Sequence, residues 1–289
     1  MKWTPWGSVQ DWWQLMRVDK PVGYYLLLWP TLWGLLAASD GQPSALNLVV
    51  FVGGVVLMRS AGCIINDYAD RKFDPHVERT KLRPIAAGKI APRAALVGFF
   101  GMLLLAFLLV LQTSWLVIGL SLVAVVLAAF YPFMKRYTHF PQAWLGMAFG
   151  WGAVMAWAAE TGHVDTSVPW LLFVANVCWS LSYDTAYALG DRKDDLSIGV
   201  KSTAIWFGEQ AVTAIILLGL VTLLLLGCVA WHYGMVVKVA WLLALLYQIY
   251  LSICLWQRGE SWGFAFFLKS HWMGLCFALG FIVSPLIAA

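Results

Sequence analysis

The stretch Asn66-Asp67-Tyr68-Ala69-Asp70-Arg71-Lys72-Phe73-Asp74 decides how the chain is read, because its closing pattern Asp-Arg-Lys-x-Asp returns downstream as Asp191-Arg192-Lys193-Asp194-Asp195. On a helix, residues four apart stand one turn above each other, so Asn66, Asp70 and Asp74 are expected on one drifting face, spread over about 12 Å of axis. Tyr187, Asp191 and Asp195 share that spacing. Packed face to face, two such arrays pool at least four carboxylates, which repel one another unless positive charge sits between them. A hard divalent cation suits that role, and Mg²⁺ takes one or two carboxylates while sharing its other positions with water and substrate phosphates. The expected substrate is therefore a diphosphate. The candidate metal ligands are Asn66, Asp70, Asp74, Asp191 and Asp195.

The surroundings of both stretches are membrane. Of 289 residues, 61% are hydrophobic and 12% charged, and the mean hydropathy is +0.75, which excludes an ordinary soluble domain. Nine apolar spans are expected, near the length of about 20 residues that crosses a bilayer: Pro21–Ala38, Ala45–Ile65, Ala94–Leu111, Trp115–Phe130, Ala143–Ala159, Pro169–Leu189, Ala211–Trp231, Met235–Trp256 and Ala265–Leu286. Lys and Arg collect in alternate gaps, from Lys2, Arg17 and Lys20 to Arg258, which puts the amino terminus and both acidic stretches on the cytoplasmic side and the carboxy terminus outside. The loop bias accounts for the net charge of +4 without a nucleic-acid partner. The five cysteines lie in or at apolar spans with no paired spacing, so neither a disulfide framework nor a zinc site is expected.

Along the chain, residues 1–20 scatter Trp3, Trp6, Trp12 and Trp13 among polar residues, as in a short helix lying in the headgroup layer. Without a cleavage pattern or an Arg- and Ser-rich leader, a bacterial inner membrane is the simplest address. Arg17 and Lys20 face the acidic side and serve as anchors or as substrate contacts. Arg59 stands about two turns inside Asn66 on nearly the same face, where an unpartnered charge is costly and a polar cavity is expected. Asp184, two turns before Asp191, is a functional candidate for the same reason. The loop to Arg93 mixes acids with Arg79, Lys81 and Arg83, and bases there neutralise the diphosphate oxygens that a metal leaves free. Lys201 follows the second array within reach of a phosphate. Lys135 and Arg136 sit in the aromatic segment Tyr131–Gln142, which reads either as an interfacial belt or as the cap of a site for an aromatic acid. Gly146, Gly150 and Gly152 suit close helix packing. Spans three, four and seven to nine read as scaffold.

The two acidic stretches each follow an even-numbered span, four spans apart, which suggests that spans two to four and six to eight are related copies around a cavity. A secondary transporter also uses repeats and intramembrane acids, but its site lies near the midplane, whereas these acids cluster at the ends of two helices.

The chain resembles the UbiA-type membrane prenyltransferases. The likeness rests on Asn66, Asp67, Asp70 and Asp74, on Tyr183-Asp184-Thr185-x-Tyr187 running into Asp191 and Asp195, on Leu15-Met16-Arg17 with Asp19-Lys20-Pro21, on Arg79-Thr80-x-x-Arg83-Pro84, and on Tyr131-Pro132-Phe133-Met134-Lys135-Arg136-Tyr137-Thr138. It runs from about Leu15 to Gly208. The resemblance implies an all-α fold of nine spans around a central cavity, one membrane-embedded domain over residues 1–289, with 66–93 and 184–203 forming the active-site helix ends and loops. It further implies Mg²⁺ and transfer of a polyprenyl chain from its diphosphate to the ring carbon beside the hydroxyl of 4-hydroxybenzoate, the membrane step of ubiquinone synthesis. No protein partner is implied. In that scheme Asp70, Asp74, Asp191 and Asp195 hold the metal, Arg59, Arg79, Lys135 and Lys201 add neutralisation, Tyr187 or Asp184 stabilises the allylic cation, and Arg17 or Arg136 holds the acceptor carboxylate. A family enzyme with another aromatic acceptor, or haem, shares the same metal motifs.

Overall fold

The structure is a computed structural model that describes residues 6–76 and 80–288. Among them, nine helices of 17 to 26 residues fall on the nine apolar stretches: α2 (Val22–Ala38), α3 (Ala45–Asp70), α4 (Pro92–Val110), α5 (Trp115–Tyr137), α6 (Pro141–Thr161), α7 (Ser167–Leu189), α10 (Ala211–Ala230), α11 (Met235–Arg258) and α12 (Gly263–Ala288). Three short helices complete the set: α1 (Val9–Leu15) before α2, and α8 (Arg192–Ile198) and α9 (Thr203–Phe207) between α7 and α10. Local chemistry sets the ends. Ser44 and Ser114 accept from backbone amides three residues on to cap α3 and α5, Pro92 and Pro141 open α4 and α6 where a missing N–H costs nothing, and Gly162 closes α6 with φ of 77°.

Apart from α4 and α5, long helices that follow one another in the chain pack against each other. α2, α6, α7, α10, α11 and α12 surround one core in which Trp33, Trp179, Phe277 and Phe281 are nearly or wholly buried. Close approach is needed on α6. A methyl group at Gly34 of α2 would lie 2.2 Å from the Ala153 carbonyl oxygen, and one at Gly146 would lie 2.8 Å from Val177 of α7, so these glycines do the packing expected of small residues in lipid. On the other side, α3 holds α4, and Leu35, Val50, Phe51, Val117 and Met155 form a second cluster that ties α3 and α5 to α2 and α6. A third cluster, Leu15, Ile64, Ile85, Ile90, Ala94 and Ala95, clamps α1 and the 83–90 loop under α3 and α4. α4 and α5 barely touch.

The outer surface is apolar: Phe100, Leu104, Leu122, Leu217, Leu224 and Leu246 are exposed on α4, α5, α10 and α11. Five stretches (Ala45–Asp70, Pro92–Val110, Trp115–Tyr137, Thr203–Ala230 and Met235–Ile287) are long and apolar enough to cross a membrane, and α2 is a shorter apolar helix. The protein is an integral membrane protein.

Candidate active site

The two acidic stretches meet at one end of the bundle. The ends of α3, α5 and α7 and the starts of α2, α6 and α12 surround the mouth of a cavity of about 1170 Å³. Arg17, Arg59, Asn66, Asp70, Asp74, Lys135, Arg136, Asp184, Tyr187, Asp191, Asp195 and Lys201 all line it. Of the predicted site residues only Arg79 is missing from this group, and it lies outside the described residues.

Neither array is one continuous helical face. α3 stops at Asp70, the N–H of Arg71 bonds back to Tyr68 O, and Asp74 opens a separate 3-10 turn, Asp74–His76. The Arg71 guanidinium folds back as well, donating to Tyr68 O at 2.7 Å and lying 4.1 Å from the Tyr68 ring centroid. It serves a last-turn carbonyl that a continuing helix would have used. α7 likewise ends at Leu189, with Gly190 and Asp191 donating to carbonyls three residues back at 3.3 and 3.1 Å. Asp191 precedes α8, and Asp195 lies on it. The acids reach the same cavity, but two of them do so from loops.

Bases hold the first array in place. Asp67 is wholly buried and does not itself line the cavity. It accepts from Arg17 Nη2 at 2.8 Å and lies 3.2 Å from Arg83 Nη1. Arg83 also reaches Asp74 at 3.1 Å, and Lys135 Nζ donates to Asp70 Oδ2 at 2.5 Å with Arg136 Nη2 at 3.9 Å from the other oxygen. Arg17 reaches Asp67 from a turn in which its own φ is 63°, a region that costs a non-glycine residue about 1 kcal/mol or more. The Tyr24 hydroxyl, donating to Met16 O at 2.8 Å, helps to hold that turn. Burial opposes the charge on Arg17, yet the Asp67 carboxylate keeps its pKa above the ordinary value. For Asp74, burial together with the Asp67 and Asp70 charges outweighs Arg83, and its carboxyl is pushed up from the usual range.

Further in, the cavity becomes apolar. Arg59 lies 5.9 Å from the Phe149 ring centroid with its buried Nε–H donating to no partner, and Gly23 faces it so closely that a Cβ there would sit 2.2 Å from Nη2. No carboxylate lies within 4.0 Å of Arg59 among the described residues. Asp184 and Tyr131 face the same space. The walls come from Leu27, Val50, Leu103, Phe107, Val125 and Phe267, so α4, α5 and α12 shape the site where scaffold was expected. Phe107 of α4 and Val125 of α5, two helices that barely touch, line the cavity and are 42% and 43% exposed.

Sequence reasoning placed Arg83 only among the loop bases that would face a diphosphate and Asp67 only among the signature acids, and did not foresee that Asp67 pairs with both Arg83 and Arg17. Arg83 stood in a loop already rich in bases, where positive-inside bias alone explains a charge. Asp67 was read with the acids, although it sits one residue off the four-residue spacing and therefore turns towards Arg17. That offset was the available signal.

Among the described residues no three carboxylate, His or Cys groups gather into a ready-made metal cage. The donor chemistry still fits a hard cation that shares its shell with phosphate. Asp70 Oδ1 is buried beside the cavity and accepts no hydrogen bond, and Asp74, Asp191 and Asp195 line the same space.

Residues 27–273 match the model of the UbiA prenyltransferase family. The 4-hydroxybenzoate octaprenyltransferase of Methylococcus capsulatus is 49% identical over 278 residues, covering 96% of this chain and 95% of that one. A UbiA homolog from Aeropyrum pernix K1, solved in its apo form, superposes with a TM-score of 0.80 at 25% identity and covers 91% of this chain and 98% of its own. A second homolog, from Archaeoglobus fulgidus and solved with GPP and Mg²⁺, shares the fold with a TM-score of 0.71 at 19% identity, over 94% and 99% of the two chains. A cavity that gathers both acid stretches, set in this helical fold and covered by the family match almost from end to end, has one reading: the chain belongs to the UbiA prenyltransferase family.

Proposed function

We propose that this protein transfers a polyprenyl group from polyprenyl diphosphate to the ring carbon ortho to the hydroxyl of 4-hydroxybenzoate, releasing diphosphate, as a step of ubiquinone biosynthesis. It does so as a single domain of nine crossings in a bacterial inner membrane, with the amino terminus and active site cytoplasmic and the carboxy terminus outside. The observation that carries this reading is the joining of the two acid stretches over one cavity whose deeper walls are apolar. The activity carried in the names of relatives about half identical supports the acceptor.

Asp70, Asp74, Asp191 and Asp195, with Asn66, would hold Mg²⁺, which when bound supplies Lewis-acid neutralisation of the diphosphate oxygens. Lys135, Lys201 and Arg83, with Arg79, neutralise the oxygens left over. As the allylic carbon–oxygen bond breaks, its electron pair leaves with the diphosphate and positive charge develops on carbon. Tyr187 and Asp184 face that carbon, and the apolar walls keep water from it. Arg17 is engaged with Asp67 and Arg136 lies at the mouth beside Asp70, so Arg59 is the base assigned to the acceptor carboxylate: it is deep in the cavity and, among the described residues, has no ion-pair partner. A charge in that setting calls for an anionic partner. The ring carbon then attacks, and loss of its proton restores the aromatic system.

The test is prenylation of 4-hydroxybenzoate by the purified protein in lipid, with Mg²⁺ and then with EDTA. Metal-dependent product is expected, and Asp70→Asn or Asp191→Asn should abolish it in protein that still inserts. Mg²⁺-dependent transfer to a different aromatic only would keep the mechanism and discard the acceptor. No transfer to any acceptor would discard the reading.

A further inference from the structure

α8, which carries Asp195 and follows Asp191 directly, is seven residues long and has no side-chain cap at its start. A helix of that length does not stand alone in water. Its position therefore depends on what holds its two ends. At the far end the chain is tied to α5: Lys201 N–H donates to Lys135 O at 2.9 Å and Lys201 Nζ to Tyr137 O at 3.2 Å. At the near end the tie is an ion pair between Arg192, the first residue of α8, and Glu260. Neither of these residues lines the cavity. One edge of the Arg192 guanidinium, at Nε, is buried without a partner, so the charge leans on Glu260.

Glu260 is itself fixed. It belongs to the 3-10 turn Gly259–Trp262 between α11 and α12, in which Ser261 Oγ donates to Arg258 O at 3.0 Å and the Arg258 guanidinium lies 5.7 Å from the Trp262 ring centroid. The next residue, Gly263, presses against α7, where a Cβ would come 2.4 Å from the Ala186 carbonyl oxygen. Glu260 is thus bolted to the last turn of α7, the helix whose end launches Asp191.

We propose that Glu260 is a positioning residue that, through Arg192, sets where Asp191 and Asp195 stand in the cavity. The proposal rests on the reading of those two acids as the second half of the diphosphate site. Its first test needs neither metal nor substrate. Backbone deuterium uptake over residues 190–202 is compared in the wild type, Glu260→Gln, and the charge exchange Arg192→Glu with Glu260→Arg. Faster uptake in Glu260→Gln, restored by the exchange, is expected. In transfer assays the Mg²⁺ concentration for half-maximal rate should rise about threefold in Glu260→Gln, the size expected of a partly exposed ion pair, with KM for the acceptor unchanged. Glu260→Asp, which keeps the charge, should fall between. Unchanged uptake in Glu260→Gln, or an exchange variant no better protected than Glu260→Gln, would overturn the tether. Absence of transfer in the wild type would instead overturn the reading of the site, and the uptake result would stand apart from it.

Discussion

Asp67→Asn removes one charge and leaves the shape almost intact. The carboxylate it replaces is wholly buried and forks onto Arg17 at 2.8 and 3.4 Å, with Arg83 at 3.2 Å. Taking one partner from a buried ion pair costs about 3–5 kcal/mol, because the other charge stays behind. Here the two guanidinium groups keep 21% and 18% of their side-chain surface exposed, and Arg83 retains Asp74, so the lower end applies: about 3 kcal/mol. The loss falls mainly on Arg17, whose left-handed backbone is held in part by that contact. Thermal unfolding in detergent should show a large drop that Mg²⁺ does not repair, since Asp67 does not line the cavity. Transfer should persist in the folded fraction. Arg17→Met with Asp67→Asn should be more stable than the sum of the single losses predicts. Wild-type stability in Asp67→Asn, or strict additivity in the double variant, would refute the view that Asp67 anchors rather than ligates.

Arg59→Met should raise KM for 4-hydroxybenzoate by tenfold or more, roughly the worth of one charged contact, and leave KM for the donor unchanged in initial-rate kinetics. Gly23→Ala should copy it while folding normally, because the added methyl would meet only the movable end of Arg59, at 2.2 Å from Nη2. Gly34→Ala should instead cost about 1–3 kcal/mol in thermal unfolding, because its methyl would meet the backbone oxygen of Ala153 at 2.2 Å and force α2 away from α6.

What could be read from the sequence follows from how strongly each feature contradicts its surroundings. Asp70, Asp184 and Arg59 are legible because a charge in an apolar span is costly and needs a reason. The nine helices are legible because length and apolarity are set by the bilayer. The breaks after Asp70 and Leu189 were not, since spacing alone carries a helix onward and the stop depends on Arg71 turning back to Tyr68 and on bonds three residues apart at Gly190 and Asp191. Nor were the cavity walls. In a soluble protein a helix that lines a site shows polar residues on one face, but here the cavity walls, Phe107 and Val125 among them, are apolar, as is the outer surface of the same helices. Both sides ask for the same residues.

That symmetry also explains why the acids needed so many partners before any substrate arrives. An apolar shaft supplies no dipoles, so every charge at its mouth must be balanced within the same layer: Arg17 by Asp67, Arg83 by Asp67 and Asp74, and Lys135 by Asp70. A metal-bound diphosphate entering this layer brings both signs at once. Under the proposed function Asp70 and Asp74 would hold the cation and Lys135 and Arg83 would face the phosphate oxygens, so the balance of the layer would be kept by exchanging partners rather than by adding charge. Asp67 would take no part in that exchange: of these acids it alone does not line the cavity, although its partners Arg17 and Arg83 do.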